Sequence, residues 1–178
     1  AARCTARRVS VGARRRRRLV EPPVAGAPAR TPRGTVLPHV RQWRPDVITV
    51  GIGGDCLRSY DPARFSADFG ELTAALPAGT CMADVPYFMH GRWEGHADQA
   101  AGILTATARV HQLRIVPLHD ALSDRGAGAM LTDFAADWFH PNDRGHRVWA
   151  DAFWIELSRS PALTAELGRG RSCPQRGG

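Results

Sequence analysis

Asp137-Trp138-Phe139-His140-Pro141-Asn142 is the stretch whose residue types could do chemistry. A carboxylate stands three residues before an imidazole, ahead of a Pro-Asn step that suits a helix start. Histidine can take a proton, and a nearby carboxylate can fix its tautomer and steady the imidazolium. Such a base needs a nucleophile to act on. His90 and His96, on either side of Trp93, form a second group of interest in a stretch expected to be a loop. No carboxylate or cysteine stands at ligand spacing from them, so they are read as solvated and no metal is assigned. His146 is expected on the exposed face of the last helix. Trp138 and Phe139 are expected to pack and to hold Asp137 and His140 in place.

The elements that must position these residues alternate. Val47 to Ile52 is a β-branched run without strict polar alternation, which suits a strand buried on both faces. Gly53-Gly54-Asp55 turns the chain. Asp61-Pro62 opens a helix over Ala63 to Leu76, with Phe65, Phe69, Leu72 and Leu76 on its apolar side. Thr80 to Val85 is a second strand, and a loop with Pro86, His90, Gly91 and Gly95 follows it. A helix over Ala97 to His111 and a strand over Leu113 to Leu118 come next. Ser123 to Ala136 has no clear period. Asn142 or Asp143 then caps a final helix to Leu157. Strands alternating with helices predict an α/β domain with a parallel sheet, whose chemistry sits beyond the carboxyl ends of the strands.

Charge separates the chain into parts. All 24 basic residues are arginine. Residues 1–44 hold 12 Arg and one acid, residues 45–158 hold 8 Arg and 15 acids, and residues 159–178 hold 4 Arg and one acid. The basic character therefore belongs to the flanks. Arg14 to Arg18 could suit an anionic surface, but no aromatic residue lies among them to stack a base, so nucleic acid is not the expected partner. Residues 1–23 read as a basic, disordered or non-native segment, 24–158 as the domain, and 159–178 as a basic flexible tail. No apolar run is long enough to span a membrane. No signal peptide is recognised, so the compartment stays open, with the cytoplasm as the default. Cys4, Cys56, Cys81 and Cys173 match no zinc spacing, and Cys56 and Cys81 are expected to be free buried thiols.

Ile52-Gly53-Gly54-Asp55-Cys56-Leu57-Arg58 after a buried strand resembles the G-x-N-D block of the SGNH (GDSL-type) hydrolases. Asp137-x-x-His140 with Pro141-Asn142 resembles that family's D-x-x-H-P-N block, and Val24-Ala25-Gly26-Ala27 its glycine block. The resemblance implies a three-layer α/β/α fold of flavodoxin-like form and serine ester hydrolysis without a metal or organic cofactor. It implies His140 as the base, Asp137 as its orienting acid, and Gly26 and Asp55 at the oxyanion positions. Asp55 stands where the family has Asn. An ionised carboxylate cannot donate a hydrogen bond, and losing one oxyanion donor costs roughly 2.7–4 kcal/mol.

No Gly-Asp-Ser occurs in the chain. Ser10 stands too close to Gly26 and lacks the acid; Ser59 and Ser66 read as loop and helix-surface residues. The nucleophile and the first strand that would present it are therefore expected to be missing, through truncation, a frameshift or natural loss. The expected function is that of an ester hydrolase by family, acting on a small-molecule ester, with this chain inactive for want of the serine. Two other readings stay open: a non-catalytic module binding a carbohydrate or acyl ligand, and an arginine-rich nucleic-acid binder. The acyl group, the alcohol and the oligomeric state are not legible.

Overall fold

A computed structural model describes residues 37, 38, 42, 45–88, 91–126 and 128–160. Among these, three short strands, β1 (Thr49–Val50), β2 (Cys81–Ala83) and β3 (Arg114–Val116), form a parallel sheet in the order β1-β2-β3. Thr49 pairs with Cys81, and Met82 with Ile115. The ladder continues past the strands: Cys81 N–H donates to Ile48 O at 3.0 Å and Asp84 N–H to Val116 O at 3.2 Å. The expected alternation of strand and helix is present. Helices lie on both faces, as in a three-layer α/β/α fold. The expected double burial of the first strand is not: Thr49 and Val50 are half-buried, because among the described residues β1 has a neighbour on one side only.

Helix α1 (Pro62–Ala75) begins where the sequence predicts. The Asp61 carboxylate accepts the Arg64 N–H at 2.9 Å, and Pro62 occupies the first turn, where no N–H is needed. Phe65, Phe69, Leu72 and Leu76 are all buried. Such a cap contributes about 1 kcal/mol, whereas each of these side chains contributes roughly 1.5–3 kcal/mol when fully buried. Packing, not the cap, holds the helix.

Helix α2 (Gly91–Val110) packs on α1 and starts six residues before the predicted Ala97. The expected loop through Gly91, Trp93, Gly95 and His96 is its first turns. Each glycine weakens an isolated helix by roughly 1 kcal/mol. Trp93 packs against the core, Ala97 is buried, and Glu94 accepts the Phe88 N–H at 3.1 Å, which ties the first turn to the segment that follows β2. These contacts outweigh the glycines.

A short helix, α3 (Leu118–Ser123), starts at the residue expected to end the third strand and leads to the stretch that showed no period, where a second, α4 (Gly128–Asp133), lies. Helix α5 (Asp143–Ser158) packs against β2 and β3 and meets α3 and α4. Arg114 of β3 clamps it, donating to the Glu156 carboxylate from Nε at 3.0 Å and also to the Glu156 carbonyl. Cys81 is a buried free thiol, pushed up to about 11 by burial, and Cys56 is half-buried rather than buried as expected. No described helix is long and apolar enough to cross a membrane.

Candidate active site

The carboxyl ends of the three strands lead into the site. After β1, Gly53 turns with φ 118°, a conformation that disfavours any side chain. A Cβ there would also stand 3.3 Å from Phe69 Cζ and 3.5 Å from Val85 Cγ2. The following 3-10 helix, Gly54–Ser59, carries Asp55 at its start and Arg58 in its last turn, both exposed. After β2, the chain runs through the buried Asp84 to Phe88. After β3, it enters α3.

The Asp137–His140 loop folds against this edge. Phe139 stacks on Phe88 at a centroid distance of 5.0 Å and an angle of 9°, and the Arg58 guanidinium lies 5.1 Å from the Phe139 centroid. A Cβ at Gly54 would reach only ordinary van der Waals contact with Phe88 Cζ at 3.7 Å and Phe139 Cζ at 3.8 Å, which places this turn beside the stacked rings. The Gly-Gly-Asp turn and the Asp-x-x-His loop, distant in sequence, thus meet through Phe139.

Within the loop, His140 Nδ1 stands 2.6 Å from Asp137 Oδ2. Asp137 Oδ1 accepts the backbone N–H groups of Phe139 and His140, each at 3.0 Å. The His140 ring first, then those two N–H groups, hold the Asp137 carboxyl well below the usual carboxylate range. An ionised Asp137 can only accept, so the His140 proton belongs on Nδ1 and Nε2 is left as the base. Both side chains are open to solvent, at 62% and 51% exposure. Among the described residues no hydroxyl or thiol bonds His140 Nε2.

Asn142 anchors the end of the loop. Its Oδ1 caps α5 by accepting the Arg144 and Gly145 N–H groups, and its Nδ2 donates to the Thr132 and Phe134 carbonyls, both at 2.9 Å. Pro141 pairs with Phe134 in an antiparallel bridge. The capping role expected of Asn142 or Asp143 thus falls to Asn142.

The sequence profile of the GDSL-like lipase/acylhydrolase family matches residues 2–148. The chain belongs to the GDSL-like lipase/acylhydrolase family. Among solved structures it is similar to LAE5, an alpha/beta hydrolase enzyme from the metagenome of Lake Arreo, Spain. The match has a TM-score of 0.69 and 20% identity, and covers 91% of this chain and 82% of that one, which shows a shared fold. No curated protein matches the chain.

In this GDSL-like chain the structure brings together Asp137, His140 and the turn that carries Asp55. Gly26 and His90 lie outside the described residues. His96 is on α2, its ring 4.9 Å from that of Tyr60. His146 is exposed on α5 as expected. Phe139 packs as expected; Trp138 does not, and is 45% exposed. Among the described residues no group of three His, Cys, Asp or Glu could hold a metal.

Two groups escaped the sequence reading. Asp133 is fully buried. It accepts from Arg125 Nε at 2.5 Å, Arg144 Nε at 3.1 Å and Thr132 Oγ1 at 3.0 Å. Burial pushes its carboxyl up, but the Arg125 and Thr132 hydrogen bonds and the two arginine charges win and hold it low. It joins α4 to α5 beneath the Asp-x-x-His loop. At the ends of β2 and β3, Asp84 accepts the His119 N–H at 2.8 Å, and His119 Nε2 lies 3.0 Å from Glu94 Oε1. Burial pushes the Asp84 carboxyl up to about 6, against the pull of the His119 and Leu118 N–H groups. No local spacing signals either group, because the partners come from separate elements.

Proposed function

We propose that this site has the base half of an ester hydrolase that works by acyl-enzyme chemistry, with His140 as the proton carrier and Asp137 as its orienting acid. The observation that carries this reading is the 2.6 Å contact between Asp137 Oδ2 and His140 Nδ1, made by an ionised carboxylate beside the carboxyl edge of a parallel sheet. In such chemistry a serine hydroxyl attacks the ester carbonyl and gives its proton to His140 Nε2. The imidazolium, steadied by Asp137, then protonates the leaving alcohol, and water repeats the sequence to free the acid. Asp55 at an oxyanion position weakens the site, since a carboxylate there repels the charge that develops.

The second part of the proposal is that this chain carries the base half without its serine. Hydrolysis of p-nitrophenyl acetate tests both parts. The expected result is slow release of p-nitrophenol without an acyl-enzyme burst, reduced further in His140→Ala. Treatment with a fluorophosphonate should label no serine. A labelled serine would overturn the second part and name the nucleophile. Hydrolysis that His140→Ala leaves unchanged would overturn the assignment of the base.

A further inference from the structure

Glu94 stands in the first turn of α2, where a carboxylate suits the positive end of the helix dipole. Its two oxygens face different elements. Oε2 accepts the Phe88 N–H at 3.1 Å, and Oε1 lies 3.0 Å from His119 Nε2. Phe88 is 1% exposed, so without this carboxylate its N–H would be a buried donor left unpaired, which is costly. His119 is held in turn. Its backbone N–H donates to Asp84 Oδ1 at 2.8 Å, and the Tyr87 ring stands edge-on to its imidazole at 5.4 Å. One carboxylate thus joins α2, α3 and the segment after β2 at the carboxyl edge of the sheet.

This junction reaches the Asp-x-x-His loop through rings. The Phe88 side chain that Glu94 fixes is the one on which Phe139 stacks. Trp93, the residue before Glu94, meets the Phe139 ring at 6.4 Å and 63°. Phe139 in turn stands edge-to-face with the His140 imidazole, at 5.1 Å and 82°. The Asp137–His140 contact is local and can form within the loop. Where that pair stands over the sheet edge depends on the surface that receives Phe139. We propose that Glu94 is a positioning residue, which places His140 over the carboxyl edge by fixing Phe88 beneath Phe139. This rests on the ester-hydrolase reading of the same pair and adds the group that sets its place.

The test uses the full chain as wild type, Glu94→Ala, Glu94→Gln and Leu76→Ala, with folding checked by urea unfolding. Nuclear Overhauser contacts between the Phe88 and Phe139 rings read the place of the loop without turnover. Glu94→Ala should lose these contacts and shift the His140 ring-proton signals. Glu94→Asp, one methylene too short to reach both partners, is read in the same way if alanine does not fold. Glu94→Gln should keep contacts and signals, since its carbonyl can accept from Phe88 and its amide can donate to a neutral His119 ring. Leu76 is buried where α1 ends, just before the turn into β2, at the opposite edge of the sheet. Leu76→Ala should therefore lower stability and leave the ring contacts as in wild type. In p-nitrophenyl acetate hydrolysis, Glu94→Ala should lower the His140-dependent rate by about tenfold, and Glu94→Gln should restore it. The proposal is overturned if Glu94→Ala keeps the ring contacts, if Glu94→Gln or Leu76→Ala loses them as alanine does, or if they are lost with the His140-dependent rate unchanged. Hydrolysis that owes nothing to His140 in the wild type defeats the ester-hydrolase reading instead, and the ring contacts still decide this one.

Discussion

Gly145 lies so close to Asp133 that a Cβ at 145 would stand 2.1 Å from the Asp133 carbonyl oxygen and 2.9 Å from Pro141 Cβ. The start of α5 is thereby pressed onto the end of α4, and the Asp-x-x-His loop is closed between them. Gly145→Ala must push these backbones apart. The expected cost is about 1–3 kcal/mol, as for overpacking in a filled core. An unchanged urea midpoint would show that the contact gives way freely.

Asn142 holds the same junction by hydrogen bonds. Asn142→Ala removes the cap of α5 and the two bonds to the Thr132 and Phe134 carbonyls. The expected loss is about 2 kcal/mol, more than an isolated cap contributes. Asn142→Asp separates the parts: it can keep the cap but sets a carboxylate oxygen against the Thr132 and Phe134 carbonyls, and at neutral pH should be no more stable than alanine in the same unfolding assay.

Asp84 should give stability a measurable pH dependence. Its folded value of about 6 lies above that of an ordinary carboxylate, so the folded chain holds this proton more tightly than the unfolded one. The stability this group contributes is full below the unfolded value, near pH 4, and is lost as pH rises through about 6. Asp84→Asn keeps an acceptor for the His119 N–H but carries no charge. Its stability relative to wild type should rise by about 2–3 kcal/mol between pH 4 and pH 7.5. A constant difference across that range would count against a buried, strained carboxylate.

Asp137 should set the tautomer of His140. In the wild type, neutral His140 is expected to carry its proton on Nδ1, facing Asp137 Oδ2. Asp137→Ala should release the ring to the Nε2-protonated form that free imidazole prefers. Nitrogen-15 NMR of the histidine ring reads this directly, without any need for turnover. The same tautomer in both proteins would remove Asp137 from its orienting role.

What could be read in the sequence follows from the range of each interaction. Helix α1 was legible because its signals are local: Asp61 and Pro62 at the start, and apolar residues at helical spacing. The Asp137–His140 pair was legible for the same reason, since one turn of chain brings the two side chains together. The start of α2 was misread because Gly91 and Gly95 are local signals for a loop. Contacts from Trp93, Glu94 and Ala97 to other elements reverse them. Asp133 offered no signal, because Arg125 and Arg144 come to it from either side through the fold.

The sequence by itself determined the alternation of strand and helix, the α5 cap and the carboxylate–imidazole pair, because each depends on residues within a turn or two of one another. Only the tertiary structure decided that Arg58 and Phe88 meet on the Phe139 ring, that Asp133 is buried beneath the site, and that Trp138 faces solvent while Phe139 packs. The physical reason is that a parallel sheet gathers its loops at one edge, and side chains far apart in the chain acquire their neighbours only when the strands align.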